Sequence, residues 1–128
     1  MDRFEIGLVR DSKGKVPFEP WFGSLDPKVK AKVLTRLRRL EELGNALHRP
    51  EADFLRDGIY ELRVAERGTQ YRILYFFHGK AAIIVTHGLV KEREVPGIEI
   101  QRAVRYREHF LQDPRKNAKW NSDEHGNE

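Results

Sequence analysis

Residues 55–93 read LRDGIYELRVAERGTQYRILYFFHGKAAIIVTHGLVKER. This segment sets the architecture, because three β-rich runs follow one another in it, at 58–65, 70–77 and 81–87. In the first run, Tyr60, Leu62 and Val64 alternate with charged residues, the period of two expected for a strand with one buried face. The link at 66–69 has hairpin length and contains a glycine. The pattern therefore predicts strands that pair in an antiparallel order.

The second run is apolar on both of its faces, which is typical of a strand in the middle of a sheet. Arg72 is the exception, because a guanidinium group on a central strand is costly to bury without a partner. The third run ends at His87 and Gly88, and Arg63 stands at a comparable level on the first run. The segment predicts an antiparallel meander that carries Arg63, Arg72 and His87 among its apolar residues.

Composition restricts the class of protein. A chain of 128 residues is large enough for one domain with a single core. The absence of cysteine excludes disulfides, thiolate metal sites and cysteine nucleophiles. No apolar run reaches membrane-spanning length and the first residues lack a signal-peptide pattern, so a cytoplasmic location is expected. The formal net charge of +4 is compatible with a polyanionic partner.

Helical signals lie on both sides of the meander. Aromatic residues at helical spacing predict a short helix at about 17–24. Asp26 and Pro27 form a helix start, and the apolar stripe that follows predicts a longer helix that stops at Gly44. A loop is expected between this helix and the meander, and a last helix is expected at about 98–110.

The two ends of the chain differ in character. Phe4, Ile6 and Leu8 alternate with other residues and predict a first strand that joins the meander. Residues 112–128 are polar and offer little to bury beyond one tryptophan, so a flexible tail is expected there. The sequence thus predicts one domain at 1–111 followed by a tail at 112–128.

The candidate chemistry lies in a basic cluster on the meander. The five histidines stand at no metal-ligand spacing, and no phosphate-binding glycine loop is present. The basic residues of the meander and its rim are Arg63, Arg67, Arg72, Lys80, Lys91 and Arg93. Arginines bind phosphate with paired hydrogen bonds and can stabilise a pentacoordinate transition state. His87 has the ordinary titration range of a proton carrier.

Structural explanations of the same residues stay open at this point. An arginine on a strand can be the ion-pair partner of a structural carboxylate, and Glu61 is the nearest candidate. His87 can be a histidine that only ends a strand. The lysines and arginines of the long helix can be a solvated amphipathic face.

The motifs LRDGIYELRV, QYRILYFF and IIVTHGLVKE, followed by a proline and a helix, resemble the RelE/ParE toxin superfamily. The closest likeness is to the HigB-type, phage-derived branch of type II toxin–antitoxin systems, over residues 4–111. The resemblance implies an α/β (α+β) domain in which two N-terminal helices and one C-terminal helix pack on a small antiparallel sheet. It also implies a helix-turn-helix antitoxin, contact with operator DNA only through that antitoxin, and cleavage of mRNA on the ribosome without a cofactor or metal.

The resemblance also implies roles for individual residues. Arg72 matches the arginine of the family's Tyr-Arg pair, which is tied to phosphate binding, and Arg63 falls where relatives carry a basic strand residue. His87 and Lys91 match the late His-Gly and lysine motif, and Arg93 is a looser match in the same basic rim. The expected catalytic residues are therefore Arg63, Arg72 and His87, and the expected RNA-binding residues are Lys91, Arg93 and Arg67.

The sequence departs from the family pattern: the segment before Pro96 is about one residue short, the tyrosine that RelE carries after the basic rim has no counterpart, and two positions carry a different residue. Glu92 replaces a second lysine, and Glu61 stands where RelE itself carries a further basic residue, so Glu61 can instead act as a base.

The predicted reaction is attack of a ribose 2′-hydroxyl on the adjacent phosphate, which gives a 2′,3′-cyclic phosphate. The alternatives are a ParE-like topoisomerase poison that cuts nothing, and a decayed toxin that only binds its antitoxin. An apolar groove between the sheet and the long helix is the expected antitoxin site.

Overall fold

The computed structural model describes residues 3–91 and 93–121. In chain order the elements are β1 (Glu5–Val9), α1 (Phe18–Gly23), α2 (Pro27–Leu43), β2 (Ala52–Arg56), β3 (Ile59–Glu66), β4 (Thr69–His78), β5 (Ala82–Val90), α3 (Gly97–Gln112) and β6 (Ala118–Trp120). In this part of the chain the strands form one sheet in the order β2-β3-β4-β5-β1-β6. The predicted α+β class, with three helices on a sheet, is confirmed.

The sheet is antiparallel with one exception. The pairs β2–β3, β3–β4, β4–β5 and β1–β6 are antiparallel, so the predicted meander is confirmed. Strand β1 joins the meander as expected but pairs parallel to β5. Parallel neighbouring strands need a long connection between them. Here the chain leaves β1, forms α1 and α2, and re-enters the sheet at the opposite edge with β2.

The helices cover both faces of the sheet and create two apolar layers. One layer lies under α1 and α2 and includes Val33 and Leu40 of the predicted apolar stripe. The other lies under α3 and includes Ile100 and Phe110. The alternation of side chains along each strand supplies both layers at once.

The long helix begins and ends where the sequence predicts. Asp26 occupies the N-cap position and Pro27 the first helical position, although the Asp26 side chain makes no capping hydrogen bond. Gly44 follows the last helical residue with φ of 53°. A Cβ atom at Gly44 would lie 2.1 Å from the Phe4 ring, so both the backbone conformation and the packing require glycine there.

Strand β2 replaces the last part of the loop predicted between the long helix and the meander. It pairs with β3 from Ala52↔Leu62 onward, and its register shifts between Phe54 and Arg56. Five residues broken by such an irregularity leave almost no alternation to detect, which is why the sequence predicts a loop there.

The predicted flexible tail is wrong for residues 112–121. Ala118–Trp120 form β6, which pairs with β1, and Trp120 is only 3% exposed. Its ring lies 6.1 Å from that of Phe110, so β6 completes the layer under α3. These three residues form a strand in spite of the polar composition of the segment, because the edge of β1 is open and can pair with them. The remaining tail prediction, for 122–128, lies outside the described residues.

No helix in the described ranges is long and apolar enough to cross a membrane.

Candidate functional site

A cavity of about 580 Å³ opens beside the start of α3, over β2, β3 and the beginning of β4. The arginines that line it are Arg49, Arg56, Arg63, Arg72 and Arg93, and the carboxylates are Asp53, Glu61 and Glu94. Five guanidinium groups against three carboxylates leave an excess of positive charge in a concave site. Such a site attracts anions, and its curvature concentrates the field.

Glu61 is the centre of this arrangement. It is 3% exposed, and its register on β3 directs it to the face that α3 covers, as it does Arg63. Nη2 of Arg63 donates to Oε2 of Glu61 at 3.0 Å, and Nη1 of Arg72 donates to Oε1. A buried carboxylate requires such partners. Glu61 is therefore the structural carboxylate partner that the sequence left open for the two arginines.

A second carboxylate extends the network toward solvent. Asp53 on β2 accepts from Arg63 Nη2 at 3.3 Å and from Arg49 Nε at 2.8 Å. The hydrogen bond from Arg49 holds the pKa of Asp53 below its ordinary value. Arg72 also donates from Nε to the carbonyl of Lys91 at 3.4 Å. The two central guanidinium groups are thus held by carboxylates that line the same cavity.

His87 lies outside the cavity lining and is 3% exposed. A bulge between β4 and β5 sets two residues, Thr86 and His87, opposite one residue of β4 and directs both toward α3. The Nε2 atom of His87 lies 2.9 Å from Glu99 Oε1, and Nδ1 lies 3.1 Å from the Thr86 hydroxyl. Burial lowers the pKa of His87, and the neutral ring donates from Nε2 to the Glu99 carboxylate, which can only accept.

The predicted site residues divide into two groups. Arg63, Arg72 and Arg93 come together in the cavity. Lys91 contributes its carbonyl to Arg72, but it does not line the cavity. Arg67 occupies the β3–β4 turn with φ of 49° and faces a separate depression beside the start of α2. Glu92 lies outside the described residues.

The sequence did not single out Arg49, Arg56, Asp53 or Glu94. Three of these four belong to the predicted loop and to β2, so they had no assigned position in the sheet. One signal was available: Arg49 and Asp53 are oppositely charged and four residues apart, and they form an ion pair at 2.8 Å. Arg56 donates to the carbonyl of Gly97 at 3.4 Å, which ties β2 to the start of α3.

The arrangement is suited to binding a phosphate group. Guanidinium groups present paired N–H donors that match phosphate oxygens, and they remain charged at any working pH. In the described residues no cluster of three or more histidine or acidic side chains could hold a metal ion. The cavity itself offers anion binding by arginine next to a buried carboxylate.

Comparison with known proteins places the chain in a family. A search of curated proteins found no match. The family described as Phage derived protein Gp49-like (DUF891) matches residues 20–108, a span that includes every residue lining the cavity. Its members are toxins of toxin–antitoxin systems related to RelE and ParE. Membership of such a family implies an antitoxin partner. The chain therefore belongs to the Gp49-like family of phage-derived toxins.

Proposed function

We propose that this toxin is an endoribonuclease that cleaves mRNA at the arginine-lined cavity and is neutralised by its antitoxin. The observation that carries the proposal is the convergence of Arg63 and Arg72 on one buried carboxylate inside a cavity with excess positive charge. The resemblance to HigB-type toxins adds the translating ribosome as the expected place of cleavage.

Phosphate binding is the first part of the proposed mechanism. The scissile phosphate enters the cavity and takes hydrogen bonds from the Arg63 and Arg72 guanidinium groups. Both are held in place beforehand by Glu61, so little reorganisation is needed when the phosphate gains charge. Arg93, with Lys91 beside it on the rim, attracts the flanking phosphates.

Proton transfer is the second part. The 2′-oxygen forms a bond to phosphorus, the bond from phosphorus to the 5′-oxygen breaks, and a 2′,3′-cyclic phosphate remains. Glu61 takes the proton of the 2′-hydroxyl, and the leaving 5′-oxygen takes one from water in the open cavity. Glu61 suits this role because it lines the same cavity and its two oxygens lie beside the arginines that bind the phosphate.

His87 has a positioning role in this proposal. Its hydrogen bond to Glu99 fixes the first turn of α3, and the neighbouring residues Gly97 and Ile100 form one wall of the cavity. The buried ring has no place in the cavity lining from which to reach the phosphate. Substitution of His87 should therefore affect cleavage through the geometry of α3.

The test is induction of the chain without antitoxin, followed by sequencing of RNA 5′ ends and assay of the purified protein on the same messages. We expect discrete cuts inside translated messages. Glu61→Gln and Arg72→Lys should each reduce cleavage about a hundredfold, the loss of roughly 3 kcal/mol of transition-state stabilisation. Arg38→Gln, an exposed change on α2, is the matched control and should cleave normally.

Two results would overturn the proposal. Gyrase-dependent DNA breaks with intact messages would assign the chain to the topoisomerase poisons. Normal growth with abundant folded protein, and no cleavage in vitro on ribosomes, would show a toxin that only binds its antitoxin.

A further inference from the structure

The second half of β3 has an open edge. Strand β2 pairs with β3 only as far as Leu62, whereas β3 continues to Glu66. The backbone N–H of Arg63 points away from β4 and donates to the carbonyl of Glu51 at 2.8 Å. Because backbone groups alternate in direction along an antiparallel strand, those of Ala65 point the same way. No strand covers Ala65 on that side in the described part of the chain.

Side chains of α2 hold the carbonyls of this open edge. Arg36 donates from Nη1 to the carbonyl of Arg63 at 2.7 Å, and Lys32 donates from Nζ to the carbonyl of Ala65 at 3.1 Å. Charged side chains over a strand edge protect it from unwanted pairing with other strands. They are also displaceable, because both side chains are long and reach solvent, with Lys32 45% and Arg36 28% exposed.

The same side chains belong to a basic row along α2. Lys28, Lys32, Arg36 and Arg39 follow one another at helical spacing and line a groove of about 380 Å³. The floor of the groove is Val64 and Ala65. A groove does lie between the sheet and the long helix, but its α2 wall is basic, whereas the sequence predicts an apolar groove.

The row has more positive charge than its local partners neutralise. The carboxylates that pair with these four cations in the described residues are Glu51 and Glu66. Lys28 is 68% exposed and Arg39 is 47% exposed, so both can bind a further anion. An acidic ligand is therefore the complement of this groove.

We propose that the groove binds an extended acidic segment of the antitoxin, which adds to β3 as a strand beyond β2. The contacts of Lys28 with Glu66, Lys32 with Ala65, and Arg36 with Arg63 show that α2 runs along the edge. Cations four residues apart on a helix lie about 6 Å apart, and alternate residues of a strand about 6.7 Å apart. Acidic residues at every second position of the added strand therefore match the basic row.

Two observations favour a peptide over RNA as the occupant. The open edge offers backbone groups with strand spacing, which an added strand uses and a sugar–phosphate backbone does not. The groove floor is made of two small apolar side chains, Val64 and Ala65, and provides no aromatic platform for a base. The inference rests on the antitoxin partnership of the family and is independent of RNA cleavage.

The proposed position also explains how binding could neutralise the toxin. The added strand displaces Arg36 from the carbonyl of Arg63, and the side chain of Arg63 lines the arginine cavity. A partner on this edge therefore acts on a cavity residue through its backbone, without entering the cavity.

The experiment selects phage-displayed random peptides on the immobilised full chain and measures the binding of the selected peptides by fluorescence anisotropy. We expect sequences that alternate acidic with β-branched residues. Ala65→Pro should weaken their binding at least about tenfold, because proline removes the outward N–H and is tolerated at a strand edge. Lys32→Gln should weaken binding and its dependence on salt, whereas Arg38→Gln, on the same helix outside the row, should not.

Other results would overturn the inference. Selection of neutral or basic sequences, selection of nothing, or equal binding to wild type and to both test variants would each do so. An oligouridylate that displaces the selected peptides and loses affinity in Lys32→Gln but not in Ala65→Pro would assign the groove to RNA. Circular dichroism checks that Ala65→Pro is folded, and Lys32→Gln tests the groove without changing the backbone. Both variants should retain wild-type cleavage if the proposed nuclease activity is correct.

Discussion

Glu61 and Arg72 form the ion pair on which the candidate site depends. Their side chains are 3% and 11% exposed, so both charges are removed from most of the solvent. An ion pair buried to this degree adds little stability compared with a well-packed apolar pair, but the loss of one partner is costly. Arg63 is 30% exposed and has Asp53 as a second partner. Its substitution should therefore lower the stability of the fold less than substitution of Arg72.

Arg72→Ala should therefore lower the free energy of unfolding by about 3–5 kcal/mol, because it leaves the Glu61 carboxylate with one guanidinium partner fewer in a buried position. Urea denaturation at neutral pH measures the change. Arg72→Lys keeps the charge and should cost less, while it loses the paired donors that phosphate requires. An Arg72→Ala protein as stable as wild type would contradict the ion pair. Loss of cleavage only in proportion to the unfolded fraction would exclude a catalytic role for Arg72.

His87 should make stability depend on pH near neutrality. Burial lowers its pKa in the folded chain from the ordinary 6.5, and on α3 Glu99 opposes this shift while Arg102 adds to it. Between the folded pKa and 6.5 the unfolded chain binds a proton that the folded chain does not, so stability falls as pH decreases through this window. Urea midpoints between about pH 7.5 and 5.5 should show the fall in wild type but not in His87→Gln.

The control for this measurement is His48→Gln, since His48 is exposed on the loop before β2. It should retain the wild-type pH dependence. An identical slope in wild type and His87→Gln would show that His87 keeps its ordinary proton affinity in the fold.

At the scale of secondary-structure elements, hydrophobic periodicity predicted the helices and strands that are long and have one clear pattern. The apolar stripe of α2 and the alternation in β3 are examples, because burial of one face repeats over several turns or residues. Strands β2 and β6 were not predicted. The first is interrupted by a register shift and the second has three residues, so each depends on a neighbouring strand edge that only the folded chain provides.

Strand β6 should be important for stability in spite of its length. Trp120→Ala removes a ring that is 3% exposed and packed on Phe110, and should cost about 3–5 kcal/mol. Leu111→Ala, at 52% exposure, is the control and should change stability by no more than about 0.5 kcal/mol. The melting temperatures of the two variants give the comparison. A small effect of Trp120→Ala would mean that the sheet ends in practice at β1.

At the scale of the whole molecule, the site is harder to predict than the fold, because it is assembled from separate segments. The residue types at Arg63 and Arg72 were sufficient to nominate them, and Glu61 was a candidate partner by its spacing. Arg49 and Arg56 needed the position of β2, and the direction of His87 needed the bulge in β5. Pairing register and bulges follow from tertiary packing, which single-sequence patterns do not contain.

The two-layered core also gives the molecule a built-in pair of optical reporters. The chain has two tryptophans, and the sheet separates them. Trp21 of α1 packs over Gly88, where an added Cβ atom would lie 2.3 Å from its ring, whereas Trp120 belongs to the layer under α3. The emission of a variant that retains one tryptophan therefore reports on one face of the sheet. Coincident denaturation curves from the two variants would identify a single cooperative unit, and separate curves would reveal which face opens first.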